Sequence, residues 1–366
     1  MQRQLPILIF AQSARFMAES ATLAGYSVWV ADCFCDSDTV AVAQRHLTIP
    51  SLSTLTATDF FAAIETLSRG EPCQLVIGTG IEQLYPLIEL LPANILYLGN
   101  TVQTLSLLRQ AKSFFPLLDS LKLAYPSIQF QRPVRNHATW LYKDLSGYGG
   151  QSIQSALTVS ETTNGYYQAF ISGQSASVLF LANGEHTHVL GYNRLVNVKN
   201  QFRLAEIRTP LNLSNQLEQQ LQKAINSITQ ATKLKGLCSL DFIFADNAFS
   251  ILEINPRFSA SAELISHHAQ LFQWHLNALN GEIPTNTLNL PDSARLLAFF
   301  YAEQNSVVID HPVWPESCHD LPAAGSYIQQ GSPVCTIIIE AETHADCQQA
   351  LQKQHLLVQQ NLCIDS

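Results

Sequence analysis

CSLDFIFADNAFSILEINPR, residues 238–257, decides how this chain is read. It holds two apolar, strand-friendly runs, CSLDFIF (238–244) and FSILEIN (249–255), separated by Ala245, Asp246, Asn247 and Ala248. Asp and Asn favour turns because their side chains bond nearby backbone, so the pair reads as an antiparallel hairpin. Each run carries an acid among apolar neighbours, Asp241 in the first and Glu253 in the second. Asn255, Pro256 and Arg257 then close the second run. Side chains alternate faces along a strand, so register decides the chemistry. A three-residue loop, 246–248, puts Asp241 opposite Glu253 with Asn255 on the same face, whereas a two-residue loop separates the two acids. The first register is the one expected. Two carboxylates and an amide oxygen on one face form a hard, oxygen-rich site that suits magnesium, with manganese as an alternative. The competing reading, strand acids facing solvent, sits poorly with such apolar neighbours. Arg257, just past the strand, can grip a phosphate or carboxylate in a bidentate fork.

A metal held by carboxylates usually serves a phosphate. TWLYKDLSGYGGQS, residues 139–152, supplies a candidate partner: Lys143 ends a strand, and Gly147, Gly149 and Gly150 follow. Glycines let backbone N–H groups close on phosphate oxygens, and lysine adds a point charge. Glycine-rich turns after strands are common without any ligand, so this segment gains weight only from its company. Lys112, in the helical stretch 101–123, is a weaker signal of the same kind.

The rest of the chain bounds these readings. Its 366 residues suggest two or three domains, and 47% apolar against 13% charged residues allows a large core. The formal charge of −9 argues against a duplex nucleic-acid binder. No apolar run approaches the ~20 residues that cross a bilayer. The N-terminal LPILIF is too brief for a signal-peptide core and reads as a strand. The terminal CIDS has Asp365 where a prenylation box needs an aliphatic residue. Eight scattered cysteines without a CxxC pair suggest reduced thiols and a cytoplasmic location. Eleven histidines form no HExxH, which disfavours a zinc enzyme.

Strands at 5–10, 26–32, 74–80 and 94–100 alternate with helix-like segments such as 13–24, so the first hundred residues predict an open parallel α/β sheet. The GxGxxG fingerprint is missing after the first strand, and Gly78-Thr79-Gly80 has half of it. No GxxxxGK[ST] occurs. From 138 to 210 the texture changes to strands and turns. Residues 214–233 predict an amphipathic helix with a Ser cap and an apolar face at Leu217, Leu221 and Ile225. Residues 262–280 read as helix, and a β-leaning tail ends in a helix near 344–356.

The order of these parts resembles the ATP-grasp superfamily. There a helix lysine comes first, matched by Lys112 in LLRQAKSFFPLLDSL. Next comes a strand-end lysine before a glycine-rich loop, matched by Lys143 and GYGG. A hinge strand lining the adenine site follows, similar to GYYQAFISGQS, residues 165–175. Last is an Asp, then Glu-x-Asn with a following arginine, matched by Asp241, Glu253, Asn255 and Arg257. The likeness covers residues 100–265 well. It implies an ATP-grasp fold, α/β and in part α+β: a Rossmann-like parallel-sheet domain over 1–100, an ATP-grasp domain over 101–290 and a small β-rich C-terminal lobe over 291–366, the lobe resembling biotin-carboxylase-like relatives.

The resemblance also implies roles. ATP would be held by Lys112, Lys143, Gly147, Gly149 and Gly150, with Gln168, Phe170, Ile171 and Ser175 from the hinge. Asp241, Glu253 and Asn255 would hold magnesium, and Arg257 and Lys143 would be catalytic. Arg15, Glu82, Ser259, Ser261 and Glu263 are the substrate candidates, with Arg15 a carboxylate anchor. The implied reaction is ATP-dependent amide formation between a carboxylate and an amine through an acyl phosphate, releasing ADP and phosphate, in small-molecule or cofactor biosynthesis with an amino-acid substrate. Partners are thus small molecules, with no nucleic acid and no membrane, and a homodimer is common in the superfamily. Three departures bear on this. Ser175 stands where many relatives hold ribose with a glutamate, and Ser239 where peptide-forming relatives carry an arginine. Ser261 stands where biotin carboxylases use a glutamate on bicarbonate. Ser175 and Ser239 favour a rival, a catalytically silent ATP-binding module. Ser261 disfavours another, a bicarbonate-using carboxylase.

Overall fold

The computed structural model describes residues 4–134, 139–145, 150, 152–159, 164–265, 268–284 and 293–364. Its first strands are β1 (Ile7–Phe10), β2 (Val28–Asp32), β3 (Arg45–Thr48), β4 (Cys73–Ile77) and β5 (Ile95–Tyr97). They form a parallel sheet in the order β3-β2-β1-β4-β5. α1 (Arg15–Leu23), α2 (Ser37–Val42) and α3 (Ala57–Ser68) lie between them. β1 and β2 are buried along their whole length, as a parallel sheet covered on both faces requires. β3 and α3 are elements that the apolar pattern did not announce. RHLT alternates without an apolar run, and α3 starts on a capping box between Thr56 and Asp59.

The helix expected over 101–123 is two helices, α4 (Val102–Arg109) and α5 (Ala111–Ser120), divided at Gln110, whose ψ of 118° is extended. A small antiparallel sheet follows, with strands β6 (Ile128–Gln129), β7 (Trp140–Asp144), β8 (Ile153–Ser155) and β9 (Gly165–Ala169). Next come β10 (Gln174–Asn183), β11 (Thr187–Asn197), β12 (Leu204–Thr209), α6 (Asn215–Thr232), β13 (Lys235–Ala245) and β14 (Ala248–Asn255). Ser214 caps α6 by accepting from the Leu217 amide, as its sequence indicated. The face of Leu217, Leu221, Ile225 and Ile228 is buried against β10 and β13 side chains. Truncating one such leucine to alanine costs about 2–5 kcal/mol, because the hole refills only in part.

The last elements are α7 (His268–Leu279), β15 (Ala294–Tyr301), β16 (Ser306–Val308), β17 (Cys318–His319), β18 (Tyr327–Ile328), β19 (Pro333–Ala341), α8 (His344–Gln359) and β20 (Leu362–Ile364). The large sheet runs β14-β13-β10-β11-β12-β15-β19-β17. It therefore crosses residue 290: β15, β19 and β17 extend it, and only β18, β16 and β20 form a separate small sheet. Among the described residues, no helix is long and apolar enough to cross a membrane.

Candidate active site

The hairpin of β13 and β14 carries the site, and its register is reached by an unexpected route. The loop is Asp246-Asn247, two residues, with Ala245 paired to Ala248 and Asp246 in the left-handed region at φ 52°. From that tip alone, Asp241 and Glu253 would face opposite ways. A β-bulge then intervenes: Phe242 pairs with Ile251, whereas Asp241 pairs with Glu253, leaving Leu252 as the extra residue. The expected three-residue loop is thus corrected to a two-residue loop plus a bulge. The outcome is the pairing the chemistry needs, Asp241 opposite Glu253 and Asn255 two residues on.

Asp241 is pushed well above the usual carboxylate range, first by burial and then by the charge of Glu253, with Arg257 and Lys143 opposing. The nearby like charge adds to the cost of ionising Asp241. Lys143, next to last in β7, lines the same cleft as Asp241 and Glu253. Burial lowers its ammonium, Glu253 and Asp241 pull it back up, and Arg109 lowers it further.

Arg257 is pinned from several sides. Its Nε donates to Glu82 Oε1 at 2.9 Å, Nη1 to Thr79 Oγ1 and to the Phe258 carbonyl, each at 3.2 Å, and Nη2 to Asn255 Oδ1 at 3.0 Å. Thr79 and Glu82 follow β4, so this network ties the strand ends of the parallel sheet to the hairpin. Glu82 is thereby placed as the partner of Arg257. Burial would raise its pKa, but Arg257 and Arg109 outweigh burial and hold it below the ordinary value.

Two cavities meet at this hairpin. The first, about 350 Å³, is lined by Lys143, Gly150, Gln168, Phe170, Ile171 and Ser175, among others. The expected hinge residues therefore share one cleft with the expected phosphate lysine. Gly150 needs to be glycine: at φ +76°, a Cβ would lie 2.0 Å from the Phe202 carbonyl oxygen. Gly147 and Gly149 lie outside the described residues. Lys112 does not line this cleft; its ammonium sits 5.7 Å from the Phe130 ring centre. Arg109, in the last turn of α4, lines the cleft instead and donates to the Leu145 carbonyl. The break at Gln110 separates the two cations, and a continuous helix over 101–123 could not reveal which one turns inward.

The second cavity, about 750 Å³, lies at the carboxyl ends of β1, β2 and β4 and contains Arg15, Ser259, Ser261 and Glu263. Asp241, Glu253, Asn255 and Arg257 line both cavities and form their common wall. Ser259 and Ser261 hydroxyls bond each other at 2.9 Å. Arg15 is 1% exposed and already matched by carboxylates, through Nη1 to Glu19 at 2.9 Å, Nε to Asp320 at 3.0 Å and Nη2 to Glu263. The expectation of an open carboxylate anchor at Arg15 gives way to this neutralised hub. Asp320 was not singled out from the sequence. It reaches the site from beyond β17, at a sequence distance where no local pattern connects it to Arg15.

Residues 102–261 match the ATP-grasp domain family. Among curated proteins, the chain is similar to an uncharacterized protein of Methanocaldococcus jannaschii, 27% identical over 172 residues, covering 47% of this chain and 41% of that protein. The chain spans less than half the length of the curated relatives it matches. Among solved structures, it is similar to biotin carboxylase from Campylobacter jejuni, with a TM-score of 0.73 at 12% identity, covering 99% of this chain and 92% of that one. It is also similar to L-amino acid ligase from Bacillus licheniformis, with a TM-score of 0.72 at 14% identity and 100% of both chains covered. Residues 102–261 thus carry an ATP-grasp domain, and the chain shares its fold with a biotin carboxylase and an L-amino acid ligase.

Proposed function

We propose that the chain is an ATP-dependent carboxylate–amine ligase that forms an amide through an acyl phosphate. The observation that carries this reading is the common wall: Asp241, Glu253, Asn255 and Arg257 separate a narrow cleft from a roomier cavity and face both. A group that must be phosphorylated by a nucleotide on one side and attacked from the other needs that arrangement.

The residues present fit a nucleotide and a divalent cation. Gln168 Nε2 is a buried donor with no partner among the described residues, in the cleft where a base would lie. Asp241 and Glu253, crowded as like charges, would be relieved by a cation, and Asn255 adds a neutral oxygen. Magnesium, when bound, supplies positive charge to phosphate oxygens. Lys143 and Arg109 add fixed charge on the cleft side. Arg257, held by Glu82, Thr79 and Asn255, needs no reorganisation as negative charge develops at the wall. The substrate carboxylate attacks the γ-phosphate, ADP leaves, and an amine displaces phosphate from the acyl carbon.

The fold of L-amino acid ligase over the whole chain supports amide formation. The biotin carboxylase likeness supports the rival of bicarbonate carboxylation. Ser261, in hydrogen bond with Ser259, weighs against it, because a hydroxyl cannot do the work of a carboxylate base. The test is ADP and phosphate release with ATP and magnesium, screening carboxylates with and without amines, and bicarbonate alone. Release that requires one acid plus one amine, and that is lost in Lys143→Ala and Glu253→Ala, is the expected result. Release with bicarbonate alone favours the carboxylase. ATP binding without turnover across the panel favours a silent module.

A further inference from the structure

The larger cavity has an acid whose side chain has no hydrogen-bond partner among the described residues. Asp36 follows β2, lines the cavity and is 8% exposed. It stands at the N-terminus of α2 but makes no side-chain cap, and its carboxylate accepts no hydrogen bond among the described residues. Its carboxylate is open to the cavity, so it faces whatever fills that space. Its surroundings are electronegative. The cations lining the cavity among the described residues are Arg15 and Arg257, and both are already paired with carboxylates. Asp241, Glu253, Glu263 and Asp320 line the same space. The Asp36 carboxyl is pushed up to about 8, first by burial and then by Asp320, Asp32 and Asp38, with Arg15 only partly compensating. A cation at this position would reverse that penalty; a second carboxylate would deepen it. Phe16, Phe34 and Tyr327 offer apolar surface in the same cavity, and Phe34 and Tyr327 are 43% and 56% exposed.

From this we infer that Asp36 is the anchor for a protonated amine, so the cavity selects a substrate carrying an ammonium group on an apolar body and rejects an anion there. The inference rests on the ligase reading, in which this cavity receives the amine. It assigns the selecting charge to the loop after β2 and leaves the substrate carboxylate to the common wall at Arg257.

The test uses the full chain with magnesium, without nucleotide, at physiological ionic strength. Hexylamine, 1-hexanol and hexanoate share one apolar body and differ in charge, and their binding is followed by calorimetry. Hexylamine is expected to bind about tenfold or more tightly than either of the others, as a charge-assisted hydrogen bond in a buried site requires. In Asp36→Asn, with ATP binding retained as the check of folding, that preference falls to near unity; Asp36→Glu retains it. Equal binding of the three probes by the wild type overturns the inference, as does failure of all three to bind. So does a hexylamine preference that survives in Asp36→Asn. The wild-type comparison needs no variant, so a misfolded substitution leaves the test decisive. If the ligase reading fails, ADP release is absent with every acid and amine, while the hexylamine preference is read separately.

Discussion

Arg257 and Arg15 are both buried, both ion-paired and both beside the larger cavity, yet they create opposite environments. Arg257 has one close carboxylate partner, Glu82, and its remaining donors meet Thr79, Asn255 and a carbonyl. Its charge is aimed and only partly spent. Arg15 meets Glu19, Glu263 and Asp320, with Asp38 at 3.7 Å. There the guanidinium is outnumbered and serves to hold acids together. One residue type thus sits among mostly neutral partners at one end of the cavity and within an acid-rich lining at the other. What decides is the number of carboxylates that neighbouring elements deliver, not the arginine itself.

The comparison breaks most visibly at Arg15. Removing it strands three carboxylates, so Arg15→Leu is expected to lower stability by about 3–5 kcal/mol in denaturant titrations. Arg257→Ala should act on turnover instead, lowering kcat by about 10²–10³ while nucleotide affinity stays within severalfold, if it meets developing charge as the proposed reaction requires. A similar stability loss at both positions, without a kinetic difference, would erase the distinction.

pH sharpens the acidic side. Asp36 shifts from an ordinary 3.8 to about 8 on folding, and Glu263 from 4.5 to about 7. Below about 4 both are largely protonated, folded or unfolded, and impose little penalty. As pH rises toward 8 the unfolded chain loses those protons first, so this contribution to stability falls with rising pH. Asp36→Asn should match the wild type near pH 4 and exceed it by on the order of 1–3 kcal/mol near pH 8. A constant difference across that range would mean Asp36 does not titrate as its burial dictates. The smallest expected effect separates the two cations near the cleft. Arg109→Ala should weaken ATP binding by roughly tenfold, and Lys112→Ala by less than about twofold. The reverse order would restore Lys112 to the phosphate site.

The parallel sheet, the α6 cap and the β13–β14 hairpin were legible in the sequence, because each rests on local signals: apolar runs, a Ser before a periodic face, acids at strand spacing. What was not legible is equally instructive. Nothing in LLRQAKSFF marks Gln110 as the break that turns Arg109 inward and Lys112 toward Phe130. Asp36 and Asp320 are short polar residues in loops, and their importance comes only from burial beside Arg15. Arg15, expected at the substrate site, lines the larger cavity. Its charge state could not be read, since Glu263 and Asp320 lie 248 and 305 positions away.

The bulge at Leu252 has one more consequence. It works as a phase shift, with the hairpin tip keeping one rhythm of alternation and the stretch from Glu253 to Asn255 another. Because the offset is set locally, substitutions in the turn can drift without rotating the acids. Deleting Leu252 alone would set Glu253 directly after Ile251, so the ladder would run in step with Glu253 still opposite Asp241 and without the kink of the bulge. The bulge is thus what lets a strand one residue longer than its partner keep Glu253 opposite Asp241, although Leu252 bears none of the site's chemistry.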